Sequence, residues 1–260
     1  MGGDIHDPRF VADLFDRCSA NYRWWSAVAS FGFTAIWRRK CIERLTGQRQ
    51  VARIDNGAPG HKPSQMPRVV DLMAGTGELW PHILRALPHA RITAIDISHR
   101  MHLDAVDRLH ATRAHRIEHI EADALTTDLP DGIADVVVAS FGLKTMTPDQ
   151  QAILARQIAR LLRPGGTFSL IEASDPKGWT LRPLYRFYMG NVLPLIERLF
   201  LRGAQDFSMI ATYTRLFGDC SDMETALRAE GLIVSQQRHF FGCATSVAGM
   251  KPIAPHHPNG

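Results

Sequence analysis

The sequence has few cysteines, and no two of them stand at metal-ligand spacing. The four residues, Cys18, Cys41, Cys220 and Cys243, form no CxxC motif, so the sequence indicates neither a zinc site nor a disulfide framework. We expect reduced thiols, which are typical of cytosolic proteins. Carboxylates and cysteines do not complete a ligand set with the twelve histidines at the usual spacing, and no metal ion is expected.

Long hydrophobic runs are also missing from the sequence. The longest apolar stretch, residues 24–37, is shorter than the roughly 20 residues that cross a bilayer, and Ser26 and Ser30 interrupt it. The polar, acidic start of the chain, MGGDIHD, is unlike a signal peptide. We therefore expect a cytoplasmic protein, and peripheral contact with a membrane stays open.

The chain carries no large excess of charge of either sign. It has 30 Lys and Arg residues against 26 Asp and Glu residues, a net charge of +4. One short basic cluster, Arg38-Arg39-Lys40, stands out, but the basic stripe with interleaved aromatics of a nucleic-acid-binding protein is missing. A nucleic-acid partner is therefore not expected. The 45% hydrophobic content is that of an ordinary soluble globular protein.

From residue 68 onward, strand-like and helix-like segments alternate. Five apolar, β-branched runs occur at residues 69–73, 92–97, 117–122, 135–139 and 167–172. Nearly continuous apolar character is typical of strands covered on both faces, and the alternation indicates a doubly wound α/β fold with a parallel sheet. One helix is marked by Thr147 as N-cap, Pro148 as first residue and Gln150 in a capping box. We expect Pro164-Gly165-Gly166 to end that helix.

The chain divides into four predicted regions. Residues 1–47 are predicted to form an N-terminal helical cap, and residues 48–67, which are polar and rich in Gly and Pro, a linker. The main domain is predicted over 68–250, with a helical lid at 176–217 whose apolar side chains are too many to bury on the sheet alone. Residues 251–260 are predicted to be a disordered tail.

The most informative motif is VVDLMAGTGELW, residues 69–80. An apolar strand ends in Asp71, and a small-residue loop follows in which Gly75 and Gly77 let the backbone approach a ligand. The N–H groups at the start of the next helix can receive a carboxylate. A tight strand-to-helix turn without a ligand is the alternative. The dinucleotide motif G-x-G-x-x-G fails because Trp80 stands where the third glycine belongs.

Polar residues follow the next strands at the same expected edge of the sheet. Asp96 ends the second strand, where a carboxylate can accept both ribose hydroxyls of a nucleoside; alternatively, it caps the helix that begins near Ser98. Asp123, after the third strand, can meet an adenine amino group or serve as a turn residue. Ser140 ends the fourth strand. Ligands of open α/β folds bind at this carboxyl edge.

Together these segments resemble the ubiquinone/menaquinone-biosynthesis C-methyltransferase family, a group of class I S-adenosylmethionine-dependent methyltransferases. The resemblance runs over most of the chain and includes FDRCSANY (15–22), SFGFTAIWRRK (30–40), SFGLKTMTPD (140–149), LLRPGGTFSLIEAS (161–174) and FYMGNVLPLIERL (187–199). It implies a Rossmann-like, doubly wound, seven-stranded sheet. It also implies an N-terminal helical cap and a helical lid inserted after strand five.

The resemblance implies S-adenosyl-L-methionine as the cofactor. It implies contacts at Thr76, Asp96, Asp123, Ala124 and Ser140, and N-terminal helices that fold over the cofactor with Tyr22. The full set of residues expected at the cofactor site is Asp71, Gly75, Thr76, Gly77, Asp96, Ile97, Met101, Asp123, Ala124, Ser140 and Tyr22.

The half of the chain that would hold the methyl acceptor departs from the family pattern. Lys144-Thr145 stand where the family usually has Arg-Asn, and a lysine lacks the planar, bidentate geometry of arginine. In the lid, a tyrosine-rich stretch with a glutamate and a serine is replaced by Phe207, Met209, Thr212 and Tyr213. These differences predict a more apolar pocket.

We expect methyl transfer to a small hydrophobic acceptor that is aromatic or quinol-like, with C-methylation favoured. Much of the acceleration can come from holding the two reactants at the attack distance and angle. The candidates for a general base are His239, Tyr185, Tyr188 and Lys144. Two alternatives stay open: an N- or O-methyltransferase of a lipid or secondary metabolite, and a non-catalytic or repurposed cofactor-binding protein. A homodimer also stays open.

Overall fold

A seven-stranded sheet forms the centre of the molecule. The computed structural model describes residues 4–55, 66–112, 114–200 and 208–253. Within these residues the strand order is β3-β2-β1-β4-β5-β7-β6. The strands are β1 (Arg68–Leu72), β2 (Arg91–Asp96), β3 (Ile117–Glu121), β4 (Ala134–Ser140), β5 (Leu162–Ala173), β6 (Ile233–His239) and β7 (Ala244–Met250). Strands β1 to β5 pair in parallel, and β7 is antiparallel to both β5 and β6. The predicted doubly wound, Rossmann-like sheet is confirmed.

Alternate residues of the central strands face two separate cores. On β4, Val137 and Ala139 pack with helices on one face, whereas Val136 and Val138 pack on the other. Strand side chains alternate between faces, so a strand covered on both sides has to be apolar at nearly every position. This is why the first four strands could be predicted to within one residue at each end.

Helices cover both faces of the sheet and its carboxyl edge. They are α1 (Pro8–Ala29), α2 (Phe33–Asp55), α3 (Trp80–Ala86), α4 (His99–Thr112), α5 (Pro148–Leu161), α6 (Arg182–Phe187), α7 (Leu193–Phe200), α8 (Ser208–Phe217) and α9 (Ser221–Ala229). A π-helical turn, Tyr188–Val192, joins α6 to α7, and a 3₁₀ turn, Leu143–Thr145, follows β4. Among the described helices, none is long and apolar enough to cross a membrane.

The structure confirms one predicted helix start, whereas two other boundaries differ from their predicted positions. The capping box between Thr147 and Gln150 is present at the start of α5. The helix ends at Leu161, directly before β5, so the expected stop at Pro164-Gly165-Gly166 is wrong and that turn lies within β5. α2 continues to Asp55, so residues 48–55 of the predicted linker are helical. Residues 56–65, and residues 254–260 of the predicted tail, lie outside the described part of the chain.

Helix α1 lies against the start of α4 and against the lid. The Asp16 carboxylate accepts hydrogen bonds from the Ser98 hydroxyl (2.5 Å) and from the Arg100 amide (3.0 Å). On the lid side, the Tyr213 hydroxyl of α8 donates to the Ile5 carbonyl just before α1. The N-terminal segment is thereby held over the carboxyl ends of the parallel strands.

Candidate active site

A cavity of about 800 Å³ lies at the carboxyl ends of the parallel strands. Much of the predicted cofactor set meets there: Gly75, Asp96, Ile97, Met101, Asp123, Ala124 and Ser140 all line it. These residues follow four different strands, which the parallel topology brings to one edge of the sheet. We call this space the cofactor cavity.

The glycine loop has a shape that other residues could not adopt without strain. Gly75 and Gly77 both have positive φ angles, +57° and +85°. A Cβ added at Gly77 would lie 2.3 Å from the Trp80 ring. Trp80, the residue that replaces the third glycine of the dinucleotide motif, is therefore packed directly against the loop and fixes its course.

Asp96 connects the glycine loop to the start of α4. One carboxylate oxygen accepts from the Gly75 amide (2.7 Å) and the other from the Ser98 amide (2.9 Å). Asp96 therefore supports the start of α4, as one of the two interpretations expects, and it also lines the cavity, where ribose binding stays a prediction. Burial raises the pKa of its carboxyl to about 6 against the opposing effect of these two hydrogen bonds, and the nearby Glu78 carboxylate raises it further.

Three described residues of the predicted cofactor set, Asp71, Thr76 and Gly77, do not line this cavity. Asp71 is fully buried, and neither of its carboxylate oxygens has a hydrogen-bond partner among the described residues. Burial raises its pKa well above the ordinary value; the nearby Trp80 indole opposes this shift without reaching hydrogen-bond geometry. The Thr76 hydroxyl donates to Glu78, and Gly77 shapes the loop. The Tyr22 side chain lies outside the described part of the structure.

Several cavity residues come from the N-terminal helices rather than from the ends of the strands. Helix α1 and the residues before it contribute His6, Val11 and Phe15, and α2 contributes Arg38. Phe15 and Arg38 lie in FDRCSANY and SFGFTAIWRRK, two segments of the family resemblance, and Arg38 also belongs to the basic cluster. His6 and Val11 gave no such signal, because the docking of a helix over a sheet edge is decided by tertiary packing.

A second, larger cavity of about 1560 Å³ opens between α1, α2 and the lid. Its described lining is mostly apolar and rich in aromatic rings: Phe31, Phe33, Trp37, Phe141, Trp179, Tyr185, Phe187, Tyr188 and Phe240. Phe141 lines both cavities. It follows β4 with a positive φ of 66°, an uncommon conformation for a residue other than glycine. We call this second space the aromatic cavity.

Lys144 is the charged residue of the aromatic cavity; among the described residues that line it, no other is charged. Its ammonium is buried and donates to the Phe141 carbonyl (2.6 Å) and to the Glu172 carboxylate (2.9 Å). A lysine ammonium has three donors. One hydrogen is therefore left without a described protein partner.

The other three candidate bases are placed less favourably. His239 lines neither the cofactor cavity nor the aromatic cavity, so its position does not favour it as the base. It ends β6, at the edge of the sheet opposite to β3, where its Nε2 lies 2.7 Å from the Ser246 hydroxyl of β7. Tyr185 and Tyr188 do line the aromatic cavity, but burial raises the pKa of both phenols. Both would therefore be poor proton acceptors.

Histidines do not gather into a metal site in the part of the chain that the structure describes. There, no group of three or more His, Cys, Asp or Glu residues is placed to hold a metal ion. His99 Nδ1 lies 2.6 Å from Glu121, and His102 Nδ1 lies 3.0 Å from His119 Nδ1.

The cofactor cavity and the aromatic cavity adjoin at Phe141, at the carboxyl edge of the sheet, as the family resemblance of the sequence leads us to expect. The chain matches the model of the ubiE/COQ5 methyltransferase family over residues 3–251. It belongs to this family. It is therefore an S-adenosylmethionine-dependent methyltransferase.

Similar proteins span nearly the whole length of this methyltransferase. A demethylmenaquinone methyltransferase of Geobacillus stearothermophilus is 26% identical over 243 residues, covering 93% of this chain and 96% of the relative. A ubiquinone/menaquinone biosynthesis C-methyltransferase UbiE of Saccharophagus degradans is 27% identical over 253 residues, covering 96% and 94%.

Solved structures share the fold at lower sequence identity. The YcgJ protein of Bacillus subtilis aligns with a TM-score of 0.53 at 12% identity, covering 81% of this chain and 98% of that one. Human N-acetylserotonin methyltransferase, in complex with S-adenosylmethionine, aligns with a TM-score of 0.53 at 20% identity, covering 90% and 58%.

The residues of the cofactor cavity fit S-adenosylmethionine. The Asp96 carboxylate faces the cavity and can accept ribose hydroxyls, while Ile97, Met101 and Leu125 offer apolar contacts to a purine ring. Asp123 lies beside them for the exocyclic amino group. The methionine end of the cofactor would then extend along Gly75 toward Phe141 and the aromatic cavity.

Proposed function

We propose that this methyltransferase acts on a small, hydrophobic, quinol-like aromatic molecule and methylates a ring carbon. The observation that carries the proposal is the aromatic cavity, which meets the cofactor cavity at Phe141. An acceptor held there would lie next to the methyl donor without passing through solvent. The names of both relatives above point to quinone acceptors, which are flat and apolar.

The lining of the aromatic cavity favours a flat, apolar ring. Phe33, Trp37 and Trp179 offer ring faces and edges to such a ring. Paired aromatic rings stabilise each other by more than the burial of their apolar surface alone provides. A volume of about 1560 Å³ also leaves room for an apolar tail on the acceptor.

The charge of the aromatic cavity argues against an amine as acceptor. Lys144 is positive, and no carboxylate belongs to the described lining. Glu172 already pairs with Lys144, so a protonated amine in this cavity would find no carboxylate free to pair with it. An oxygen that carries negative charge would instead be attracted to the unpaired donor of Lys144.

The chemistry follows from this attraction. S-adenosylmethionine supplies a methyl group on a positively charged sulfonium. Lys144 stabilises the anion of an acceptor hydroxyl, whose proton is released to solvent, and this anion makes the neighbouring ring carbon a better nucleophile. The bound cofactor would supply the methyl group to this carbon and become S-adenosylhomocysteine, and the proton on that carbon would move to the acceptor oxygen, which restores the aromatic hydroxyl. The apolar walls exclude water and keep the two reactants at attack distance.

The test is the position of a ¹³C-methyl label after turnover. The protein is incubated with ¹³C-methyl S-adenosylmethionine and three acceptors: a demethylated naphthohydroquinone with a short prenyl tail, its monohydroxy analogue, and an apolar primary amine. We expect the label on a ring carbon of the hydroquinone, detected by NMR. Label on oxygen, or transfer to the amine in preference to the quinol, would contradict the proposal.

A further inference from the structure

Arg38 is a buried cation on the wall of the cofactor cavity. Its residue is 7% exposed, and it lines the cavity from α2. Its guanidinium lies 5.0 Å from the centre of the Phe141 ring. Burial of a charge is costly unless the charge is paired and hydrogen-bonded, so a partner is expected.

The described residues supply no partner in direct contact, although the buried Asp71 carboxylate is near enough to attract the guanidinium. Arg38 forms no ion pair within 4.0 Å and no hydrogen bond with any of them, and its buried Nε is without an acceptor. By contrast, the neighbouring Arg39 points outward, is 59% exposed, and pairs with Glu43. The two adjacent arginines therefore have different roles, and the inward one is left with unused donors that face a ligand site.

The position of Arg38 along the cavity defines which part of the cofactor it would meet. Asp96 and Asp123 follow β2 and β3, on one side of the glycine loop, and are suited to the adenosine. Phe141, which Arg38 covers, follows β4 on the other side. With the adenosine held at Asp96 and Asp123, the methionine moiety of the cofactor, which ends in a carboxylate, would lie toward this side.

We infer that Arg38 binds the carboxylate of the methionine moiety of S-adenosylmethionine. Arginine is suited to this task because its planar fork matches a carboxylate in two parallel hydrogen bonds. The same contact holds the guanidinium over Phe141, at the junction with the aromatic cavity. The inference concerns cofactor binding alone and does not depend on the identity of the acceptor.

The test compares two ligands by calorimetry, without acceptor. S-adenosylhomocysteine carries the carboxylate; its decarboxylated analogue keeps the amine and lacks the carboxylate. We expect Arg38→Met to weaken the binding of S-adenosylhomocysteine about ten- to a hundredfold, which is the range for loss of a hydrogen bond to a charged group. The affinity for the analogue should change less than twofold. Arg38→Lys should recover part of the loss, because it keeps the charge without the fork. Arg39→Met is the matched control and should leave both affinities unchanged.

A second measurement uses wild-type protein alone and therefore does not depend on the folding of a variant. The decarboxylated analogue should bind wild type more weakly than S-adenosylhomocysteine by about the factor that Arg38→Met loses. Equal affinity of wild type for the two ligands would overturn the inference. The inference would also be overturned if Arg38→Met, shown to be folded by circular dichroism, bound both ligands more weakly by the same factor. Arg38 would then only support the shape of the cavity.

Discussion

Asp96 is the residue whose ionisation governs the cofactor cavity. Burial raises its pKa to about 6, so the carboxylate, which we expect to accept ribose hydroxyls, is increasingly protonated below that pH. A ligand that prefers the ionised form must then release a proton from the site as it binds. Cofactor affinity is therefore linked to pH through this one group.

We predict that S-adenosylhomocysteine binds with full affinity above about pH 7 and more weakly as the pH falls below about 6. The dissociation constant should rise by up to about tenfold for each pH unit below the pKa. Calorimetry between pH 5 and pH 8 measures this. Asp96→Asn should bind weakly at every pH, with a flat profile; an unchanged slope in that variant would show that another group titrates.

Lys144 and Glu172 form a buried pair, so stability and catalysis must be separated when Lys144 is changed. Both side chains are at most 5% exposed, and removal of one partner leaves the other charge uncompensated. We predict that Lys144→Met lowers the free energy of unfolding by about 3 kcal/mol and abolishes most methyl transfer. Urea denaturation and turnover of labelled cofactor measure the two effects.

The double variant Lys144→Met with Glu172→Gln is the control for this prediction. It removes both charges, so the unfolding free energy should return most of the way to wild type. Methyl transfer should stay low, because the group that stabilises the acceptor oxygen is gone. If the double variant recovered activity together with stability, Lys144 would have only a structural role.

At the scale of elements, the strand-to-helix loop after β1 shapes the cofactor cavity. Gly77 and Gly178 have nearly the same positive φ angle, +85° and +86°, but different surroundings. A Cβ at Gly77 would overlap the Trp80 ring, whereas nothing lies within 4 Å of a Cβ at Gly178. Substitutions at these two glycines can therefore separate the energetic cost of backbone strain from the cost of overlap with a neighbouring side chain.

We predict that Gly178→Ala costs about 1 kcal/mol of unfolding free energy, the order of the strain at such a φ, and leaves cofactor binding unchanged. Gly77→Ala should lower the unfolding free energy clearly more. It should also weaken the binding of S-adenosylhomocysteine at least tenfold, because the loop must move away from Trp80. Chemical denaturation and calorimetry provide the two measurements. Equal effects of the two substitutions would mean that the packing of Trp80 does not fix the loop.

The elements that could be predicted from sequence are those with local signals. Continuous β-branched runs mark buried parallel strands, and the Thr147 capping box marks the start of α5. The end of α2 was misjudged because its last turns are polar, and polar residues are as compatible with an exposed helix as with a linker. The inward course of Arg38 follows from how α2 packs on the sheet, which sequence spacing does not contain.

The candidate site was predictable in its cofactor half and much less so in its acceptor half. Acidic residues at strand ends gather at one edge because parallel topology requires it. His239 was a reasonable candidate base by residue type, but antiparallel pairing with β7 turns it away from both cavities. Phe141 lies in SFGLKTMTPD, a segment of the family resemblance, but its place between the two cavities depends on a positive φ angle that tertiary structure imposes.

For the whole molecule, buried histidines set how stability depends on pH. Burial lowers the pKa of His119 and of His239 to about 4, from an ordinary value of 6.5. Between these pH values the unfolded chain binds protons at both positions and the folded protein does not. Folding stability is therefore lost as the pH falls from about 6.5 to about 4. The raised pKa of Asp96 acts in the opposite direction between about pH 4 and 6.

We predict that replacing both histidines, His119→Gln with His239→Gln, reduces the loss of unfolding free energy between pH 7 and pH 4.5. The reduction should be on the order of 1 kcal/mol for each histidine, given partial screening by solvent. Urea denaturation at the two pH values measures it, with the exposed His89→Gln as control. An identical pH dependence in wild type and the double variant would contradict the prediction.

The central claim is that the cofactor and an aromatic acceptor meet at Phe141 from two adjoining cavities. The most direct test is a crystal structure of the protein with S-adenosylhomocysteine and a hydroquinone bound together. We predict the hydroquinone ring in the aromatic cavity, one of its oxygens within hydrogen-bond distance of Lys144 Nζ, and a ring carbon facing the cofactor sulfur. A hydroquinone bound outside that cavity, or with the nearest oxygen rather than a carbon in line with the sulfur, would contradict the account.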